Sequence, residues 1–159
     1  MENTEPLLLQ RKATKQFAML SIESFYHSGP GYTPFLIRPG WQVAQLNYLP
    51  ELAEDQLHKV ERHKATDEVF ICFKGISILV GAVDTGDGLK FEAIPLQPGV
   101  TYNVPKSMWH WIVMYPGDQV MLVERAQTHC DDVEYRELKQ EEVALLRRTI
   151  SMAKDSAKN

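Results

Sequence analysis

The sequence predicts an all-β domain folded as a jelly-roll barrel, with an N-terminal arm and a C-terminal α-helix. Three observations carry that expectation. From Thr33 onward, short runs rich in Val, Ile, Phe, Tyr and Trp follow one another, each ended by Gly, Pro or Asp, as in antiparallel all-β chains. Nine such runs fall within about 90 residues, and so many short strands need their edges closed or covered, which a barrel or two-sheet jelly roll does. After Asp131-Asp132 the composition changes to strong helix formers without Gly or Pro.

Taken in order, residues 1–32 form the arm, 33–130 the barrel and 131–159 the helical tail. The arm mixes polar and apolar positions without a sustained period and ends in the turn signal His27-Ser28-Gly29-Pro30-Gly31. Strands are expected at 34–38, 41–49, 57–63, 68–73, 76–83, 91–96, 101–104, 110–114 and 119–125. Turns fit between them: Asp84 to Gly88 as a hairpin loop, Gln97-Pro98-Gly99, and Tyr115-Pro116-Gly117-Asp118. The helix is expected over 138–152, with Val143, Leu146 and Ile150 on one face as a stripe that packs on the barrel.

Composition narrows the function classes. A chain of 159 residues suits one compact domain. Its net charge of -4 supplies no basic field for a polyanion, which argues against nucleic-acid binding. No apolar run approaches the roughly 18 residues needed to cross a bilayer. The N-terminus has three leucines followed by basic residues, the wrong order for a signal peptide, so a cytoplasmic location is expected. Cys72 and Cys130 show no metal or redox spacing and read as unpaired thiols. No phosphate loop or nucleophile elbow is present.

Chemistry concentrates in two stretches. In ERHKATDEVFICFKG, residues 61–75, strand alternation puts Glu61 and His63 on one side and Glu68, Phe70 and Cys72 on one side of the next strand. A hairpin through 64–67 would bring Glu68 opposite Glu61 and His63. In GVTYNVPKSMWHWIVM, residues 99–114, His110 starts an alternating strand whose further inward positions are Ile112 and Met114.

Here the chain resembles the cupin family. The usual first motif is H-x-H, three or four residues, E, six residues, G; this sequence has Glu61-x-His63, four residues, Glu68, six residues, Gly75. The usual second motif is G, five residues, P-x-G, two residues, H, three residues, N. The chain has Gly99, five residues, Pro105-x-Ser107, two residues, His110, three residues, Met114. Glu61 thus stands where the first histidine usually is, Ser107 replaces a turn glycine and Met114 replaces the asparagine.

The resemblance implies a cupin-type double-stranded β-helix in which His63, Glu68 and His110 are metal ligands and Glu61 takes the fourth position. Two imidazoles and two carboxylates suit a divalent ion among Mn, Fe, Co, Ni and Zn. Without an ion or cation, two carboxylates forced together inside a barrel would be costly to ionise. The opposing reading is a barrel that has lost its metal, with Glu61 solvated at the rim. Phe70, Ile112 and Met114 would form apolar walls around a small-molecule ligand, with Tyr102, Tyr48 and Asn103 as candidate hydrogen-bonding groups. His58 and Asp67 have the wrong strand parity, and His27 and His129 read as isolated loop histidines. Trp109 and Trp111 should point away from His110 and pack in the core or at a subunit interface.

The expected function is a metal-dependent enzyme acting on a small polar metabolite, a sugar, sugar acid or hydroxy or keto compound, with Glu61 or Glu68 as catalytic base. The competing expectation is a non-catalytic ligand-binding or sensor cupin, with or without metal. Small cupins commonly pair, so the resemblance also implies a homodimer, with the arm and the tryptophan-rich strand as contact surfaces.

Overall fold

A computed structural model describes residues 12–13 and 22–157; the rest of the expected arm lies outside the described residues. Twelve strands are present among them: β1 (Lys12–Ala13), β2 (Glu23–Ser24), β3 (Gly31–Arg38), β4 (Trp41–Asn47), β5 (Lys59–Arg62), β6 (Glu68–Lys74), β7 (Ile78–Asp84), β8 (Leu89–Pro95), β9 (Thr101–Val104), β10 (Trp109–Val113), β11 (Gln119–Glu124) and β12 (Glu134–Glu137). Two helices, α1 (Thr128–Asp131) and α2 (Gln140–Ser156), and 3-10 turns at Pro50–Leu52 and Glu54–Gln56 complete the described elements.

Ten of the strands form two antiparallel five-stranded sheets, in the orders β12-β5-β10-β7-β8 and β3-β4-β11-β6-β9. Consecutive strands repeatedly sit in opposite sheets, which is the jelly-roll arrangement the sequence predicts. Side-chain alternation builds the core between the sheets. Ala44 and Leu46 of β4, Phe70 and Cys72 of β6, Leu79 of β7, Ile112 of β10 and Val120 and Leu122 of β11 meet there, all buried.

β7 is buried on both faces because α2 covers the outside of its sheet. Ile78 and Val80 point outward onto Leu146 and Ile150 of the helix, so the expected stripe packs on its own barrel. The helix starts later than the sequence suggests, at Gln140, because Glu142 fixes it there. The Glu142 carboxylate accepts from the backbone N–H of Lys139 (3.0 Å) and of Leu89 (3.2 Å) and from Arg136 (2.9 Å). This satisfies a first-turn donor and ties the helix to β8 and β12 at once.

Three differences from the sequence reading bear on the site. β5 and β6 are not a hairpin: they lie in opposite sheets, and residues 63–67 cross between them. Glu68 therefore meets His63 across the barrel interior. The expected arm and tail both lend residues to the sheets, since Tyr32 lies in β3 and Glu134–Glu137 forms β12 against β5. Trp109 is buried against Leu89 and Ala82 under the Arg62 guanidinium, 4.2 Å from the ring, and offers no free contact surface, whereas Trp111, expected to face away from His110, borders the same cavity as His110.

At the end of the barrel away from His110, Asp118 joins two turns. Its buried carboxylate accepts from Ile76 N (3.2 Å), Ser77 Oγ (2.9 Å) and Tyr115 N (3.0 Å). Gly75 lies directly against it with φ of +94°, and a methyl group there would run into the Asp118 carboxylate. The motif glycine is thus required twice, by backbone conformation and by space.

Candidate metal centre

Two cross-strand rows face one another inside the barrel. In the first sheet Tyr135, Glu61 and His110 are aligned by the registers Tyr135 to Glu61 and Glu61 to His110, and Gly81 follows opposite His110. In the second sheet Glu124 pairs with Gln42, and Glu68 enters from the neighbouring β6. His63 sits just past the end of β5, its carbonyl accepting from Ser107 N (2.6 Å). Ser107 has φ of +68°, so the serine in the glycine position holds the left-handed turn that presents His110.

The imidazoles are oriented from behind. His63 Nδ1 donates to the Asp132 carbonyl (2.6 Å) and His110 Nδ1 to the Met108 carbonyl (3.0 Å). Backbone carbonyls are acceptors only, which fixes the proton on Nδ1 and leaves both Nε2 atoms facing the cavity. There they converge on one atom, Glu68 Oε2, at 3.1 Å from His63 and 2.8 Å from His110. Asp132 further secures the approach to His63 by accepting from the backbone N–H of Lys64 and Ala65 (2.9 and 2.8 Å).

Two overlapping groups of donor atoms lie within 4.8 Å of one another: Glu61, His63 and His110, and His63, Glu68 and Glu124. Together they contain the four residues expected from the sequence plus Glu124. A donor set of two neutral imidazole nitrogens and anionic oxygens, each imidazole held by an outer hydrogen bond, fits a divalent first-row ion.

Glu124 is the main residue that sequence reasoning missed. It is buried, and its Oε1 accepts from Tyr32 Oη (2.6 Å) and Gln42 Nε2 (2.9 Å). Its signal was present as a lone charge in the inward phase of β11, after Val120 and Leu122. His129, expected to be an isolated loop residue, instead borders the cavity, 3.2 Å from Gln42 Nε2 and beside the Tyr32 ring. The left-handed Gln127 turns α1 over the barrel and places it there.

The cavity measures about 260 Å³. Phe70 and Ile112 line it as expected, whereas Tyr102 and Met114 do not. Met114 follows the end of β10 and is wholly buried in the core below the cavity floor. Tyr102 reaches the far turn from edge strand β9, where its hydroxyl accepts from Gln97 N (3.0 Å).

Burial would push the Glu68 carboxyl up, but hydrogen bonds and charge from His110 and His63 outweigh it and hold it at about 2. Burial likewise pulls His63 down, and its bond and attraction to Glu68 reverse this, raising it to about 9; His110 is raised for the same reasons. Glu61 and Glu124 are raised, chiefly by burial.

These shifts set a pH dependence for the metal-free protein. The His63 contribution is complete below its ordinary 6.5 and is lost as pH rises through about 9. The Glu68 contribution is complete above its ordinary 4.5 and is lost as pH falls through about 2. The raised Glu61 and Glu124 act in the same direction as His63, costing stability as they ionise. The urea midpoint of metal-free protein is therefore expected to fall between pH 6.5 and 9. Saturating zinc should reverse that slope, because it binds deprotonated imidazoles. A flat profile with and without zinc would contradict the arrangement.

No protein-family model and no curated protein matches the chain. Solved structures do. A cupin-2 domain-containing protein from Shewanella frigidimarina is 22% identical, over 63% of this chain and 84% of that one, with a TM-score of 0.42. KdgF from Halomonas sp. is 15% identical over 64% of this chain and 85% of its own, with a TM-score of 0.43. A cupin-like protein from Thermotoga maritima is 15% identical over 75% and 83%, with a TM-score of 0.44. These are structures the chain is similar to; the jelly-roll arrangement itself is read from its own two five-stranded sheets.

Proposed function

We propose that the barrel binds one divalent ion, of the Mn, Fe, Co, Ni or Zn group, through His63, His110, Glu68 and Glu61, and that this centre acts enzymatically on a small polar metabolite. The observation that carries the reading is the pair of imidazoles pinned through Nδ1 by backbone carbonyls, with both Nε2 atoms aimed at one carboxylate oxygen. In the metal-free barrel Glu68 Oε2 accepts hydrogen bonds from both Nε2–H groups, and the same three side chains would hold an ion in their place. Such an ion supplies Lewis acidity, polarising a substrate carbonyl or lowering the pKa of water.

The remaining chemistry belongs to the chain. Glu61 lines the cavity beside the Tyr135 hydroxyl, so that when displaced from the ion it is the carboxylate placed to take up and return a substrate proton. Glu68, fixed between the imidazoles, serves better as a ligand than as a base. Phe70, Ile112 and Leu122 exclude water from one side of the cavity.

Glu61→Gln tests the unusual fourth position. Zinc affinity measured by competition with a chelating dye is expected to fall by about 100-fold, at or beyond the loss typical of an outer-sphere change. Glu124→Gln should cost much less. The opposite order would place the ion on the His63, Glu68 and Glu124 side instead.

A further inference from the structure

We propose that the ligand of this cavity is a non-acidic hydrogen-bond donor, an amine or a polyol, and that the free oxygen of Glu124 selects it over carboxylates. The inference rests on the reading of the cavity as the binding site and narrows its substrate class, setting acids aside.

The charges around the cavity are unbalanced. Glu61, Glu68 and Glu124 line it, and no lysine or arginine does among the described residues. The nearby cations are committed elsewhere. Arg62 and Lys64 pair with Glu134 (3.0 and 2.6 Å), Arg125 pairs with Asp131, and Lys59 sits over the rings of Trp111 and Tyr135 (5.4 and 4.5 Å). Among the described residues the basic side chains that line the cavity are the imidazoles of His63, His110 and His129, and the first two are already hydrogen-bonded to Glu68. An acidic ligand would add a fourth carboxylate with no guanidinium or ammonium to receive it, and an unpaired buried charge is strongly disfavoured.

Glu124 adds geometry to this count. It is 6% exposed, and both of its hydrogen bonds, from Tyr32 and Gln42, fall on Oε1. Oε2 takes no hydrogen bond from the described residues. Tyr32 and Gln42 thus lock the carboxylate in one rotamer with an acceptor left over. An acceptor fixed in place and open to the cavity matches a hydrogen-bond donor, and an ammonium or hydroxyl provides one. Leu46, Leu49, Leu52, Phe70 and Ile112 line the same space, so the donor group belongs on a compact body with an apolar face.

Cyclohexylamine, cyclohexanol and cyclohexanecarboxylate keep one ring and vary only the charge and donor character of the head group. Their dissociation constants are to be measured at neutral pH by ligand-observed NMR, on the full chain both metal-free and zinc-loaded. In both forms the amine is expected to bind at least about 10-fold more tightly than the carboxylate, with the alcohol between. Glu124→Gln, which keeps the size of the side chain, should shrink that ratio by about 10-fold. Carboxylate binding as tight as the amine in either form would overturn the proposal. So would failure of both amine and alcohol to bind, or a ratio unchanged in Glu124→Gln. Zinc that fails to bind at all would sink the metal reading, while the ranking in metal-free protein would still decide this one.

Discussion

A double variant, His63→Ala with His110→Ala, is expected to bind zinc more than about 100-fold more weakly than the parent while retaining the barrel. Both nitrogen donors vanish, and only carboxylates remain, which hold a first-row ion poorly in competition with water. The change also removes the two partners of Glu68, so its carboxyl, now held at about 2, should rise because burial no longer has an opponent. The barrel survives because Glu68 can then bind a proton instead of remaining an unpaired buried charge. Isothermal titration with zinc, together with far-ultraviolet circular dichroism, separates loss of metal from loss of fold. Parent-like zinc affinity in the folded variant would remove the imidazoles from the account.

Asp118→Ala is expected to destabilise the protein by about 3–5 kcal/mol. The carboxylate accepts from Ile76 N, Ser77 Oγ and Tyr115 N, and Ser77 is fully buried. Truncation leaves those donors without an acceptor and opens space beside Gly75. Asp118→Asn, which keeps one oxygen, should lose less. Urea unfolding of the three proteins reads the difference, and an Asp118→Ala midpoint near the parent's would mean that water replaces the carboxylate. Because this site is remote from His110, zinc affinity of folded Asp118→Ala should match the parent.

The centre was legible where alternation and spacing act together. Glu61, His63, Glu68 and His110 are fixed by strand parity and by turns whose residues are visible in the sequence, and these are local facts. Parity tells which face a side chain takes but not how deep the cavity runs, so Met114 was extended into the ligand wall although it lies beneath the floor. Pairing partners are non-local, which is why the 64–67 loop read as a hairpin and proved to be a crossing between sheets.

β12 was missed because Glu-Tyr-Arg-Glu has little intrinsic strand preference. It is held by pairing with β5 and by the Arg62 to Glu134 contact (3.0 Å). Tyr32 was hidden by placing the arm boundary after it, and Glu124 because the 119–125 strand carries no motif that marks its inward positions. The residues that sequence reasoning missed thus share a cause: their neighbours in space are far away in the chain.

X-ray absorption at the zinc edge, on protein carrying no affinity tag and loaded with one equivalent of zinc, tests the central claim most directly. The account predicts two imidazole scatterers with nitrogen at about 2.0–2.1 Å and oxygen donors completing the shell. A shell of oxygen alone, or zinc that washes out of the folded protein, would contradict it.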